Sequence, residues 1–431
     1  MNGARVVITG LGAVTGFGFT WQRMWSEMLR GSHCIRPWQP DEVSDGSFPV
    51  GFAAPVDMAL LPPHLDEHPA WRLPLEKRSR YGWVAASQAV ADSGLDAADL
   101  REAAVLSASG APHHMLDDMR LALAEEPGAG ADWAYLMRRA DRVHAGGSLR
   151  QASDRLARVI AGHFGCEGPV VNISSACAGA AQAIGNAFQM IRRGEVELAL
   201  AGGADSVLNL DTMGSLYLLG AATSEQRFGA DLCRPFDRHR SGLVAGEGGG
   251  FVVLERLDRA LARGATPYAE VVGYGSSLDG YKVTAPDPQG RGAALAMQAA
   301  LDDAGLDPQQ VDLINAHGTS TPLNDVAETL AIKTVFARDE HYRRLAVSAN
   351  KSQFGHLIAA AGAPEVIVTA LSCREDRITP TVNLHEPDGD CDLDYCANQA
   401  VHRSVEVALS NSFGFGGLNT SLALRKYRRS R

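Results

Sequence analysis

A chain of 431 residues, 45% hydrophobic and 21% charged, has the makeup of a globular protein with a large core and room for two domain-sized halves. Fifty acidic against 40 basic residues leave a net charge of −10, which argues against nucleic acid as the main partner. The seven cysteines (34, 166, 177, 233, 373, 391 and 396) are odd in number and scattered, as in a reducing compartment, and no apolar run approaches the roughly 18 residues of a membrane span. A cytoplasmic location is therefore expected.

In chain order, Val6–Ile8 reads as a first strand, followed by a loop punctuated by Gly10, Gly12, Gly16 and Gly18. The spacing of Gly10, Gly12 and Gly16 is one residue too long for a dinucleotide loop, and no acidic residue closes the unit further on, so a turn is expected. Trp21–Arg30 reads as a helix, and 36–75 as an irregular, proline-rich surface segment. Arg72, Lys77, Arg78 and Arg80 form a basic cluster at the start of a helix running to about Asp92, either a solvated face or a dock for an acidic protein. Strands follow at Ala104–Ser107, Pro169–Ile173, Glu197–Ala201 and Phe251–Leu254, with a largely helical stretch over 115–160 and a helix after residue 180.

The remainder repeats this plan. A glycine-bearing strand (Glu270–Gly275), a helix (Arg291–Ala304), a strand (Leu313–Ala316), another strand (Ala346–Ser348), a helix (Gly362–Cys373) and strands at Val407–Ser410 and Ser421–Leu424 predict a second α/β unit. The two halves are 1–256 and 257–431.

Chemistry gathers at four loops. Asn172-Ile-Ser-Ser-Ala-Cys177-Ala-Gly-Ala-Ala181 puts a thiol among small residues at a strand-to-helix junction, where free N–H groups and a helix dipole favour a thiolate. Asn315-Ala-His317-Gly-Thr319-Ser-Thr321-Pro322, Asn350-Lys351-Ser-Gln-Phe-Gly-His356 and Asn411-Ser-Phe413-Gly-Phe415-Gly-Gly-Leu418-Asn419 each follow a strand, and two carry histidine beside glycine and polar residues. Cys391 and Cys396, with His385 and His402 nearby, match no zinc spacing.

Together these motifs resemble the β-ketoacyl-acyl-carrier-protein synthases of the elongating Cys–His–His type, condensing enzymes of the thiolase-like superfamily. The resemblance covers nearly the whole chain. It implies a five-layer αβαβα fold of two duplicated halves and a homodimer, with a heterodimer with a related subunit as the other arrangement. It makes Cys177 the acyl-accepting nucleophile, His317 and His356 the pair that stabilises the enolate of decarboxylating malonyl-carrier protein, and Lys351 and Glu365 their support. The backbone N–H groups of Cys177 and Phe415 would form an oxyanion hole. Thr319, Thr321, Thr284 and Phe413 would contact the pantetheine arm or substrate, Phe415 would gate the site, and Ala111 would line the acyl pocket. Asn315, Glu365, Ser410 and Asn411 fall where some members hold a structural Na or K ion. No cofactor is implied beyond the phosphopantetheine that arrives on the acyl carrier protein.

Four features depart from the family pattern: Ala178-Gly179-Ala180 after the nucleophile, Leu418 after the double glycine, Ala111 where a bulky aliphatic residue is common at the acyl pocket, and the segment 113–150. They bear on the acyl group accepted, and a pocket reshaped toward a polyketide, polyene or modified lipid is expected. A thiolase would need a second catalytic cysteine in the loop after Phe413, which has none. A catalytically silent chain-length-factor subunit would lack the nucleophile, and Cys177 is present with both histidines.

Overall fold

In the computed structural model the residues described are 3–429, apart from 42, 44–45, 69–70, 72–75, 111–151, 338–341 and 343. Ten strands form the main sheet: β1 (Val6–Val14), β2 (Ala104–Ala108), β3 (Val170–Ile173), β4 (Leu198–Ser206), β5 (Glu247–Arg256), β6 (Ala269–Leu278), β7 (Leu313–Asn315), β8 (Ala346–Ser348), β9 (Val407–Gly414) and β10 (Leu418–Lys426). Their order is β8-β7-β9-β10-β6-β1-β5-β4-β2-β3. The first five strands run β3-β2-β4-β5-β1 and the last five β8-β7-β9-β10-β6, the same order shifted by one half of the chain. Pairing sense repeats as well: β2 is parallel to β3 and β4, as β7 is to β8 and β9, and the remaining neighbours within each half are antiparallel. A short antiparallel contact, Val6–Ile8 against Ala269–Val271, joins the two five-stranded sheets.

Seven helices matter for position: α1 (Trp21–Leu29), α2 (Lys77–Ser93), α3 (Arg155–Phe164), α4 (Gly179–Arg192), α5 (Arg291–Ala304), α6 (Pro322–Phe336) and α7 (Gly362–Glu375). Helices α2 and α3 cover the outer face of the first sheet, and α5 packs on the outer face of the second with α6 against it. Helices α4 and α7 pack on each other between the sheets, which completes the five layers. Composition explains the placement. Helix α7 is buried along nearly its whole length and α4 carries small or apolar residues over most of its surface, as a helix enclosed between two sheets requires. Strands β1, β4 and β5 are buried on both faces and read as continuous apolar or glycine runs.

Two strands run past their expected ends, the first through an expected turn. β1 continues through Gly10 and Gly12 to Val14, and β4 through Gly202 and Gly203 to Ser206. Their glycines serve close approach: a Cβ at Gly12 would sit 1.9 Å from the Ala85 carbonyl of α2, and one at Gly202 would sit 2.0 Å from the Gly250 carbonyl of β5. The basic cluster is also corrected. Arg78 is buried, paired with Glu76, and donates to the Gly110 carbonyl at 2.9 Å, so it is neither a solvated face nor free to dock a partner. Arg80 lies over the Trp71 ring, Lys77 is exposed, and Arg72 lies outside the described residues. Among the described residues no helix is long and apolar enough to cross a membrane.

Candidate active site

Cys177 occupies a 3-10 turn, Ala176–Ala178, between β3 and α4. The turn opens at Ala176 with φ +45°, a left-handed conformation that an L-residue keeps only when its surroundings hold it. Across from it, the end of β9 approaches so closely that a Cβ at Gly414 would lie 3.2 Å from the Cys177 nitrogen. His317 follows β7 and His356 follows the short helix Lys351–Phe354. One atom from each of Cys177, His317 and His356 lies within 4.8 Å of the others, and all three residues are buried. The imidazoles meet edge to face with centroids 5.4 Å apart, and the Phe413 ring stands 5.7 Å from that of His317.

The hydrogen bonds set the imidazole tautomers. The Ile358 N–H donates to His356 Nδ1 at 3.0 Å, so that nitrogen is an acceptor and the proton resides on Nε2. The Lys351 Nζ donates to His317 Nδ1 at 3.1 Å, to the His317 carbonyl at 2.7 Å and to Glu365 Oε1 at 2.5 Å, using all three protons of an ammonium. His317 therefore also carries its proton on Nε2. Burial first, and then the nearby Lys351 charge, hold both histidines well below the usual imidazole range, so both are neutral donors.

The thiol behaves differently from the sequence expectation. Burial pushes Cys177 up to about 11, against the opposing pull of Lys351 and of the Phe415 N–H aimed at the sulfur. Desolvation outweighs the end of the helix, and the resting group is a thiol.

These residues surround a cavity of about 330 Å³, which Thr284, Thr319, Thr321, Phe413 and Phe415 also line. The hydroxyls of Thr319 and Thr321 are 2.9 Å apart. Lys351 and Glu365 stand behind His317 and do not reach the cavity. Ala111 lies outside the described residues.

Four acidic residues escaped the sequence reading. Glu328 accepts the N–H groups of His317 and Gly318, both at 2.8 Å, and Asp325 accepts those of Thr319 and Phe236 at 3.1 and 2.9 Å. Both sit on α6, three residues apart and so on one face, a spacing that the motif ending at Pro322 stopped short of. Asp279 accepts from Asn419 Nδ2 at 2.7 Å and from the Asp287 N–H, tying the Thr284 segment to the Phe415 loop. Asp205 ends β4 beside the His356 turn. No pattern in the sequence marked Asp205 or Asp279.

The proposed cation ligands are adjacent. Asn315 and Ser410 are in register on neighbouring parallel strands, and Asn315 Nδ2 donates to the Glu365 carbonyl at 2.8 Å. The Asn315 Oδ1, Glu365 Oε2 and Ser410 Oγ atoms are buried without a hydrogen-bond partner among the described residues. An all-oxygen set bearing one carboxylate fits a hard cation such as Na or K. Asn411 differs: its Oδ1 accepts from Ser421 and its Nδ2 donates toward Glu328.

A five-layer α/β fold with a buried thiol facing two Nε2–H donors defines a thiolase-like condensing enzyme. The chain belongs to the β-ketoacyl synthase family: residues 3–260 match its N-terminal domain and 268–385 its C-terminal domain. It is similar to the 3-oxoacyl-[acyl-carrier-protein] synthase 2 of Synechocystis sp., at 38% identity over 98% of both chains, and to that of Staphylococcus aureus, at 35% over 98% of both. Among solved structures it is similar to a β-ketoacyl synthase from Burkholderia phymatum (32% identity, TM-score 0.86) and to the ishigamide ketosynthase/chain length factor (32%, 0.84), covering 99% of this chain and 100% of each. A type II polyketide ketosynthase solved with its acyl-carrier protein is also alike, at 29% identity and TM-score 0.86, covering 99% of this chain and 100% of that one.

Proposed function

We propose that the chain is a β-ketoacyl-[acyl-carrier-protein] synthase. The observation that carries this is the pair of neutral imidazoles, each with Nδ1 occupied, beside the Cys177 thiol in one cavity. Cys177 attacks the thioester carbonyl of an acyl group on the carrier protein; the C–S bond to pantetheine breaks, the acyl group passes to Sγ, and the proton lost from the thiol ends on the departing pantetheine sulfur. The N–H groups of Cys177 and Phe415 hold the oxyanion of that step. Malonyl-carrier protein then enters, with Thr319, Thr321, Thr284 and Phe413 contacting its arm. Its carboxylate leaves as CO₂, and the electron pair passes into an enolate whose oxygen accepts from the Nε2–H of His317 and His356. The enolate carbon attacks the acyl-Cys177 carbonyl, the Cys177 C–S bond breaks, the departing sulfur takes a proton from solvent to restore the thiol, and β-ketoacyl-carrier protein is released. Preorganised donors at an oxyanion are commonly worth about 10²–10³-fold in rate each.

The chain divides after Arg256 into a half carrying the nucleophile and a half carrying the histidines, each with the same strand order. It works in the cytoplasm as a homodimer, or beside a related subunit, as the pairing of ketosynthase with chain length factor in the ishigamide relative's description supports. The orphaned oxygens of Asn315, Glu365 and Ser410 would hold Na or K, which would supply positive charge behind Glu365. The departures at Ala178, Ala180 and Leu418 support an acyl preference other than long saturated chains.

The test is acylation followed by mass spectrometry. Incubation with carrier proteins bearing graded acyl chains should place one acyl group on Cys177, and malonyl-carrier protein should then discharge it as the β-ketoacyl product. No acylation, or acylation that survives Cys177→Ala, would overturn the reading.

A further inference from the structure

The two halves of the chain build the same turn at the same point. Cys177 lies in the 3-10 turn Ala176–Ala178 ahead of α4, and Ala359 lies in the 3-10 turn Ile358–Ala360 ahead of α7. Each opens on a left-handed residue, Ala176 at φ +45° and Ile358 at φ +48°, the second a β-branched residue for which that conformation is unusually costly. In each, the last N–H reaches back to the carbonyl before the turn: Ala178 to Ser175 at 3.1 Å, and Ala360 to Leu357 at 3.0 Å. The middle N–H is where they differ. That of Cys177 is the proposed oxyanion donor, whereas that of Ala359 donates to Asp205 Oδ2 at 3.1 Å.

Asp205 is fully buried at the end of β4, in the opposite half of the chain, and its other oxygen accepts the Ser206 N–H at 2.9 Å. The space around it is built to measure: a Cβ at Gly110 would lie 2.6 Å from Oδ2. One residue before Ala359, the Ile358 N–H is the donor that fixes His356 Nδ1. A carboxylate from the first half thus holds the strained turn of the second half that decides where the His356 proton sits.

We infer that Asp205 is a positioning residue for the decarboxylation step: by clamping the Ile358–Ala360 turn it keeps the proton of His356 on Nε2, facing the enolate oxygen. The inference rests on the synthase reading of the site. With the clamp released, His356 can take the other neutral tautomer and present a lone pair where a donor is required. The carboxylate also lies near enough to Cys177 to oppose its ionisation, so its loss acts with opposite sign on the two half-reactions.

The experiment measures Asp205→Asn in three ways: decarboxylation of malonyl-carrier protein, alkylation of Cys177 by iodoacetamide at pH 8, and the histidine ¹⁵N spectrum. Decarboxylation should fall by about tenfold or more, alkylation should stay level or quicken, and a Nδ1–H form of His356 should emerge. A parallel fall in both reactions, or decarboxylation within about twofold of the parent, would overturn the inference. Glycine adopts φ +48° without strain, so Asp205→Asn combined with Ile358→Gly should regain about threefold in decarboxylation over Asp205→Asn. Should Asp205→Asn not fold, the double variant compared with Ile358→Gly carries the test, and equal decarboxylation in those two would count against the clamp. A parent enzyme that neither takes an acyl group on Cys177 nor decarboxylates malonyl-carrier protein would sink the synthase reading instead, which separates the two failures.

Discussion

Lys351→Met should separate what Lys351 does for folding from what it does for His317. The ammonium and the Glu365 carboxylate are both fully buried, and Nζ is the only hydrogen-bond donor to the side chain of Glu365 among the described residues. Removing the lysine leaves a buried carboxylate uncompensated, for which about 3–5 kcal/mol of stability is the expected loss. Lys351→Met with Glu365→Met removes both charges and roughly conserves volume, so most of that loss should return, giving a coupling energy of at least about 2 kcal/mol. Activity should not return. Both variants strip His317 Nδ1 of its donor at 3.1 Å, so decarboxylation should fall about 10²–10³-fold in each. Chemical denaturation at equal m-value and a malonyl-carrier decarboxylation assay give the two readouts. A double variant as unstable as the sum of its single changes, or one that regains activity along with stability, would refute this account of the pair.

The same packing and hydrogen bonds dictate other outcomes. Burial holds Glu328 at about 7, above its ordinary 4.5, so its contribution to stability is complete below pH 4.5 and is lost as pH rises through 7. The stability difference between the parent and Glu328→Gln should therefore fall by up to about 3 kcal/mol between pH 4.5 and 8, and a pH-independent difference would exclude the shift. Because burial lifts Cys177 to about 11, its alkylation rate should still be climbing at pH 9; a plateau near neutrality would show a thiolate at rest. Exchanging Na and K for tetramethylammonium should lower the thermal midpoint of the parent but not of Ser410→Ala, by an amount that grows with the salt removed. Gly12→Ala drives a methyl group into the Ala85 carbonyl and should cost about 1–3 kcal/mol or prevent folding; a neutral effect on the unfolding midpoint would contradict the packing of α2 on β1.

Much of the second half was legible from its sequence. Arg291–Ala304 and Ala346–Ser348 match α5 and β8 end to end, because alternation of apolar runs with turn residues is a local signal. Strand ends were less legible where glycine was involved. Gly10, Gly12, Gly202 and Gly203 look like turn residues, yet they are strand positions emptied of side chain so that a helix or a neighbouring strand can come close. Local composition cannot distinguish a glycine that bends the chain from one that makes room.

The site divides along the same line. Sequence alone determined the proposed reacting groups and the order of the loops that carry them: Cys177, His317, Lys351 and His356 lie in short motifs whose residue types point to the proposed chemistry. Tertiary structure decided their state. Whether Cys177 rests as thiol or thiolate depends on desolvation, which is a property of everything packed around it. The tautomers of His317 and His356 depend on single donors, Lys351 Nζ and the Ile358 N–H, that folding brings to Nδ1. Burial and hydrogen-bond direction are set by residues distant in the chain, so no stretch of sequence holds them before the two sheets close on α4 and α7.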